Sequence, residues 1–217
     1  MTYAFIRAGA IMALVALALP QTALANTMTF DSLEDGAGPG TLQPYIEDGI
    51  SATASGGTLG YMVPGSLHLD DSGTPFANRV SFTMAGLFDF ISLDLLGLGS
   101  SYEIDGILSA YDNVLFEGFR GGLQVATLLF STGTINPETF VITNASLGGG
   151  FVGLDEFRIT NLQPTLIDDT HQCRDQPCGH VSVDNLTLSP VPVPAALPML
   201  LGGIGLLGVI GLRRRRA

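Results

Sequence analysis

Arg79-Val80-Ser81-Phe82-Thr83-Met84 alternates polar and apolar side chains, and Val181-Ser182-Val183-Asp184-Asn185-Leu186-Thr187-Leu188 carries the same alternation over a longer span. A period of two sends one set of side chains to each face of an extended chain, so each stretch reads as a strand with one face on a core. Thr27–Leu33, Gly49–Ala54, Ser66–Leu69, Phe88–Leu95, Val114–Phe119, Leu123–Phe130, Thr139–Asn144 and Leu154–Thr160 read as further strands, with Gly, Asn, Asp and Pro between them. Between Asn26 and Pro190 no stretch sustains a 3.6-residue apolar pattern. The expected fold of residues 26–190 is therefore all-β, a single antiparallel β-sandwich. At about 165 residues this segment is long enough for one domain with its own core.

The flanking segments are of another kind. Residues 1–25 carry Arg7, an apolar run from Ala8 to Leu19, and the ending Ala23-Leu24-Ala25, the layout of a removed secretory signal with cleavage between Ala25 and Asn26. Residues 191–217 begin with Val191-Pro192-Val193-Pro194-Ala195. An uncharged run from Ala195 to Leu212 follows, and then Arg213, Arg214, Arg215 and Arg216. About 18 residues of helix cover roughly 27 Å, near the lower limit for a hydrocarbon core of about 30 Å. The expectation is a C-terminal transmembrane helix whose arginines stay on the cytoplasmic side and act as its stop. The translocated segment between the two signals excludes an ordinary cytosolic enzyme.

The order of a proline motif, a membrane-length segment and a basic end resembles the VPLPA-type variant of the PEP-CTERM sorting signal, with Val193 where that variant has leucine. The resemblance implies transient anchoring in the inner membrane with the domain in the periplasm. It further implies processing near Val191–Ala195 by an exosortase-type enzyme, and delivery to the cell surface or an extracellular matrix, often beside exopolysaccharide. It covers only the tail, and a sorting tail does not assign an activity to the domain it delivers.

Composition narrows the rest. All 20 acidic residues lie within residues 26–190, opposed there only by Arg79, Arg120, Arg158 and Arg174, for a formal charge of −16 on that segment against −11 for the chain. There is no lysine. Such a surface repels nucleic acid, which is bound by neutralising phosphates. Cys173 and Cys178 lie in CRDQPC; in an exported chain they are expected to form a disulfide, a local staple, in preference to a zinc site completed by His171 and His180. No G-x-S-x-G, H-E-x-x-H, P-loop or dinucleotide fingerprint occurs, and no catalytic residue is assigned. The doublets Glu34-Asp35, Glu47-Asp48, Asp70-Asp71, Asp155-Glu156 and Asp168-Asp169 are poor acid–base pairs, because neighbours on a strand point to opposite faces. Tyr45, Tyr61, Tyr102 and Tyr111 fall in or near expected loops, where their rings either contact a glycan or cap the core.

The segment before the tail is also similar to the jelly-roll modules found in front of such signals, themselves similar to carbohydrate-binding, galactose-binding-like sandwiches. The matching pieces are Thr29-Phe30-Asp31-Ser32-Leu33, Phe88-Asp89-Phe90-Ile91-Ser92-Leu93, Gly118-Phe119 with Val125, and Val183-Asp184-Asn185-Leu186. In those modules the first and last strands lie side by side and their ends often hold calcium, which makes Asp31, Asp184 and Asn185 candidate calcium ligands. The leading expectation is a non-catalytic exported protein of the envelope or exopolysaccharide layer. The alternative is a carbohydrate-binding module, calcium-stabilised; a glycan hydrolase stands behind both.

Overall fold

Val80 and Phe82, the apolar positions of the Arg79–Met84 stretch, are completely buried, while Ser81 between them stays partly accessible on the other side of the strand. The computed structural model describes residues 24–33, 43–61, 64–70, 76–97, 103–104, 107–108, 113–131, 141–162 and 180–192. The strands are β1 (Asn26–Met28), β2 (Tyr45–Glu47), β3 (Ile50–Ala54), β4 (Leu67–Asp70), β5 (Arg79–Met84) and β6 (Phe88–Gly97), then β7 (Glu103–Ile104) and β8 (Ile107–Leu108). They continue with β9 (Asn113–Arg120), β10 (Leu123–Ser131), β11 (Val141–Ala145), β12 (Glu156–Leu162) and β13 (His180–Pro190). No helix occurs among the described residues.

All the strand pairs are antiparallel. One sheet has five strands in the order β1-β13-β6-β11, with β4 also on β13; the other has six in the order β10-β9-β12-β5-β3-β2, and β7 and β8 form a small ribbon of their own. Strand β13 is long enough to take two neighbours on one side: Val181–Val183 faces Leu69–Leu67 of β4, and Leu186–Leu188 faces Met28–Asn26 of β1.

The inward residues of both sheets form one core. It includes Met28, Leu93, Leu95, Val183 and Leu188 from the five-stranded sheet and Ile50, Val80, Phe82, Val114, Phe116 and Ile159 from the six-stranded one. With 12 phenylalanines and no tryptophan, the chain fills this layer with Phe rings. Phe157 of β12 is their hub. It lies 4.8 Å from Phe90, 6.2 Å from both Phe82 and Phe116, and 6.0 Å from Phe151 in an edge-on arrangement. The Phe90 contact joins the two sheets. Opposite Phe157 in β9 stands Gly118, where an added Cβ would sit 2.8 Å from a Leu154 methyl, so the missing side chain is what admits Leu154 to the core.

Two hairpins follow from local sequence. Asp48-Gly49 joins β2 to β3 and Gly121-Gly122 joins β9 to β10, all four residues with positive φ, as two-residue hairpin turns matched to sheet twist require. Gly57 is fixed for a different reason. Its φ is +64°, and a Cβ there would lie 2.3 Å from the Phe76 carbonyl oxygen, beside the Thr58–Phe76 bridge.

The expected strands are present, Arg79–Met84 with its bounds unchanged and the others with shifted ends. The Thr27–Leu33 segment extends only to Met28, because Phe30 turns to φ +59° and carries the chain out of the sheet. Strands β2, β7 and β8 were not expected from the pattern; at three and two residues they are too short to show a period. The chain divides into two compact units, of which Leu24–Val191 holds every strand and the core found among the described residues. Most of the signal segment 1–25, Val193–Ala195, the Ala195–Leu212 run, Arg213–Arg216, Cys173 and Cys178 lie outside the described residues. Among the described residues no helix is long and apolar enough to cross a membrane.

Phe157→Ala removes the ring shared by both sheets and is expected to destabilise the domain by about 3–5 kcal/mol, as large aromatic truncations in packed cores do. Urea denaturation checks this as a fall in midpoint at unchanged slope.

Candidate functional site

The longest alternating stretch contains its own irregularity. Val181 and Val183 are buried, and so are Leu186 and Leu188, so the inward phase switches between Asp184 and Asn185. The structure accommodates the switch as a β-bulge in the pairing of β13 with β6, with Asn185 at φ +49°. A second bulge interrupts the pairing of β11 with β6 between Ile142 and Ala145, where Asn144 has φ +52°. Asparagine tolerates this left-handed conformation better than most residues.

Asp94 of β6 lies between the two bulges and holds both. Its Oδ1 accepts from the Asn144 backbone N–H at 2.6 Å, and its Oδ2 accepts from the Asn185 side-chain amide at 2.8 Å. Asp184 faces Asp94 directly across the β13–β6 pairing. Its Oδ1 accepts from the Asn185 N–H at 2.6 Å, and its Oδ2 lies 3.3 Å from the same side-chain amide. The Asn185 NH₂ group therefore stands between two carboxylates and shares its protons with both.

Beyond β1 the chain adds more acid. The Thr29 hydroxyl lies 2.6 Å from Glu47 Oε1 and 3.0 Å from Asp31 Oδ2, and the Phe30 N–H donates to Glu47 Oε2 at 2.9 Å. The Tyr45 hydroxyl also donates to Glu47 Oε2, at 2.7 Å, and Ser32 Oγ lies 2.9 Å from that hydroxyl. Glu47 thus ties the turn at Phe30 to β2. The next residue, Asp48, accepts from the Thr27 N–H through Oδ2 at 3.0 Å, and its carbonyl accepts from the Asn26 side-chain amide.

These contacts set the protonation of two carboxyls in opposite directions. Burial pushes Asp184 up, the Asn185 N–H pulls against it, and the charges of Asp94, Asp31 and Glu47 add to the rise; the net shift is upward. Burial also pushes Glu47 up, but the hydrogen bonds from Thr29, Tyr45 and the Phe30 N–H outweigh it and hold the carboxyl below the usual range. Tyr45 is raised, by burial first and then by the carboxylate it faces.

The charge of Asp31, the other acidic calcium candidate, is felt at Asp184 together with those of Glu47, from the Glu47-Asp48 doublet, and of Asp94, which no motif marked. Among the described residues no three His, Cys, Asp or Glu side chains converge as a preformed ligand set. Asn185 presents NH₂ to both carboxylates beside it. Calcium ligation would require that amide to turn its oxygen inward.

The other candidates resolve one by one. Tyr45 is only 6% exposed, stacked on Phe30 at 6.2 Å, and Tyr61 packs partly buried against the core, while Tyr102 and Tyr111 lie outside the described residues. Glu47, at the end of β2, and Asp48, in the turn that follows, take separate roles. Asp155 accepts from the Gly121 N–H, whereas Glu156 accepts from Arg158 at 2.8 Å and from Ser81 at 2.6 Å. Arg158 also lies 4.0 Å from Glu117 and 4.2 Å above the Phe119 ring, so its guanidinium separates those two carboxylates. One Ser–His approach emerges that chain spacing did not reveal: His68 Nδ1 and Ser182 Oγ, 114 residues apart, lie 3.4 Å from each other. Both side chains are completely buried, with Phe76 edge-on to the imidazole at 4.5 Å, so the pair faces the interior and not a cleft.

No protein-family model matches this chain, and a search of the curated proteins finds no significant relative.

Opposite shifts predict opposite pH behaviour. Glu47, with a lowered carboxyl, stabilises the fold above its unfolded-state pKa and loses that contribution as pH falls through the folded value. Glu47→Gln is expected to cost about 1–3 kcal/mol at pH 7, since one acceptor oxygen is lost, and less in acid. Asp184, with a raised carboxyl, costs stability while ionised. Asp184→Asn is expected to stabilise the domain at neutral pH by a few tenths of a kcal/mol, little because the site is partly solvated, and to change nothing once pH is below about 3. Melting curves of both variants at the two pH values check the crossing pattern.

Proposed function

We propose that this protein is a non-catalytic surface or matrix component of the cell envelope: a sandwich domain exported by its N-terminal signal, held briefly in the inner membrane, and processed by an exosortase-type enzyme. The observation that carries the reading is the ordered tail, Val191-Pro192-Val193-Pro194-Ala195, the uncharged run to Leu212, and Arg213–Arg216. The limits of the domain agree with processing at both ends. Asn26, the expected first residue, opens β1, so cleavage after Ala25 leaves the strand whole. At the other end β13 closes at Pro190, and the Val191 N–H donates to the Leu87 carbonyl at 2.8 Å, so the sorting motif begins where the fold ends.

The finer architecture in this reading is a jelly roll of the galactose-binding-like kind, supported by the antiparallel pairing of β1 with β13, the first and last strands. Exopolysaccharide is the proposed surrounding medium. The acidic segment, with its −16 formal charge, keeps the delivered domain soluble and apart from nucleic acid.

Mass spectrometry of mature material is expected to find a start near Asn26 and an end near Val191–Ala195. Surface material that retains Arg213–Arg216 would overturn the processing step, and glycan turnover abolished by one carboxylate substitution would overturn the non-catalytic assignment.

Calcium belongs to the same proposal, favoured by the mutual charge of Asp184, Asp94, Asp31 and Glu47, which a divalent cation would offset. Calcium at a hundredfold excess over Kd is expected to stabilise the domain by about 2.7 kcal/mol, reversed by EDTA and lost in Asp31→Asn. A melting temperature indifferent to millimolar calcium removes the ion from the reading.

A further inference from the structure

Asn26 of β1 pairs with Leu188 of β13, so the chain enters and leaves the sandwich at one and the same end. Hydrogen bonds tie that end together in series. The Val191 N–H donates to the Leu87 carbonyl, Phe88 and Leu154 exchange N–H···O bonds at 2.8 and 2.7 Å, and the Gly121 N–H donates to Asp155. Exposed apolar side chains gather along this series: Leu87 at 42%, Val152 at 48% and Leu123 at 72%. The carboxylates of Asp48, Asp89 and Asp155 are each turned to a backbone N–H, those of Thr27, Gly153 and Gly121. Arg120 is exposed and donates to the Val152 and Gly153 carbonyls; among the described residues it forms no salt bridge.

What lies against this end follows from chain length. Pro192, Val193 and Pro194 are all that separates Val191, held by the Leu87 carbonyl, from Ala195, where the uncharged run begins. An extended proline-rich chain advances about 3.1 Å per residue, so three residues reach roughly 9 Å. About 5–7 Å of that crosses the headgroups, half the difference between a whole bilayer of about 40–45 Å and a core of about 30 Å. The run to Leu212 is near the shortest that spans the core, so it has no residues to yield to the connection. The end of the fold therefore stands within a few Å of the lipid surface.

We propose that, while the tail is anchored, this end of the sandwich docks on the outer leaflet of the inner membrane, with Leu87, Val152 and Leu123 entering the headgroup layer and the Arg120 guanidinium meeting lipid phosphate. The proposal rests on the anchoring reading above and adds which face of the domain the membrane covers. Apolar side chains at that depth leave water, and the planar fork of a guanidinium matches phosphate oxygens. The short connection makes the contact intramolecular, so a patch of three side chains suffices where free association would need more. Removal of the tail returns Leu87, Val152 and Leu123 to water, so processing also undoes the docking.

The chain has no tryptophan, so Leu123→Trp and Val152→Trp each introduce a sole indole at an exposed position. Val141→Trp is the control: Val141 is equally open, but it pairs with Leu96 at the far end of the ten-residue β6, about 30 Å along the strand. Full chain isolated from membranes is reconstituted in phosphatidylcholine vesicles, with and without bromine on the acyl chains. Flotation with the vesicles reports anchoring, and quenching by bromine reports docking. The Leu123→Trp and Val152→Trp chains are expected to emit at shorter wavelength and to lose emission severalfold in brominated lipid, with Val141→Trp unchanged. Chains that float with every indole unquenched overturn the docking and leave the anchor standing. Chains that do not float remove the anchor and the docking with it. Quenching at Val141 as strong as at Leu123 overturns the assigned face. A shift to shorter wavelength without quenching, growing with protein density in the vesicles, would place a second copy on these side chains and overturns the proposal as well.

Discussion

Phe157 and Phe90, 4.8 Å apart, are where the two sheets meet. An antiparallel sheet with one apolar face gains stability only when that face is covered, and here each sheet is the cover of the other. The ring of Phe157 reaches Phe82 on one neighbouring strand and Phe116 on the other, so the same side chain that spans the layers also aligns β5, β12 and β9 within a layer. The absence of a Cβ at Gly118, opposite Phe157, brings Leu154 into the same cluster. A core of phenylalanines in place of tryptophan carries no indole N–H that must find a partner inside.

Around this apolar layer the polar chemistry is arranged to satisfy itself. The three arginines of the described residues are each engaged: Arg79 donates to Thr160, Arg120 to the carbonyls of Val152 and Gly153, and Arg158 to Glu156. Among the described residues, the carboxylates near β1 and β13 are met by hydroxyls, amides and backbone N–H groups rather than by cations. That arrangement leaves net negative charge on the domain and concentrates its local field at Asp184.

Much of the sheet structure was legible in the chain, and the reason is physical. Arg79–Met84 has the bounds its alternation implies because both its neighbours, β3 and β12, continue the same inward set. Strand β2 was illegible because three residues hold no period; it exists through its pairing with β3 and the burial of Tyr45. The candidate ligands Asp31, Asp184 and Asn185 were named through resemblance; the charge of Asp31 is felt at Asp184, but no three His, Cys, Asp or Glu side chains converge there among the described residues. Asp94 was missed, since its partners Asn144 and Asn185 are 50 and 91 residues away in sequence. A clue to it was present nonetheless: the change of apolar phase after Val183 announces an inserted residue, and a bulge needs something to hold it. The Ser182–His68 approach was hidden by the same kind of distance.

The grip of Asp94 on two bulges bears on which strand alignments the chain is able to reject. A slip of β13 by one residue along β6 is already forbidden, because it would turn every buried valine and leucine to solvent. A slip by two residues keeps apolar side chains inward on either side of the bulge, and hydrophobicity alone scarcely discriminates against it. The Asn144 backbone N–H and the Asn185 side-chain amide, each donating to one Asp94 oxygen from a left-handed turn, do discriminate: a two-residue displacement would leave Asp94 without its donors and put the turns opposite regular backbone. In this sandwich, oil decides which face is buried, and a single aspartate decides which of the remaining alignments is the native one.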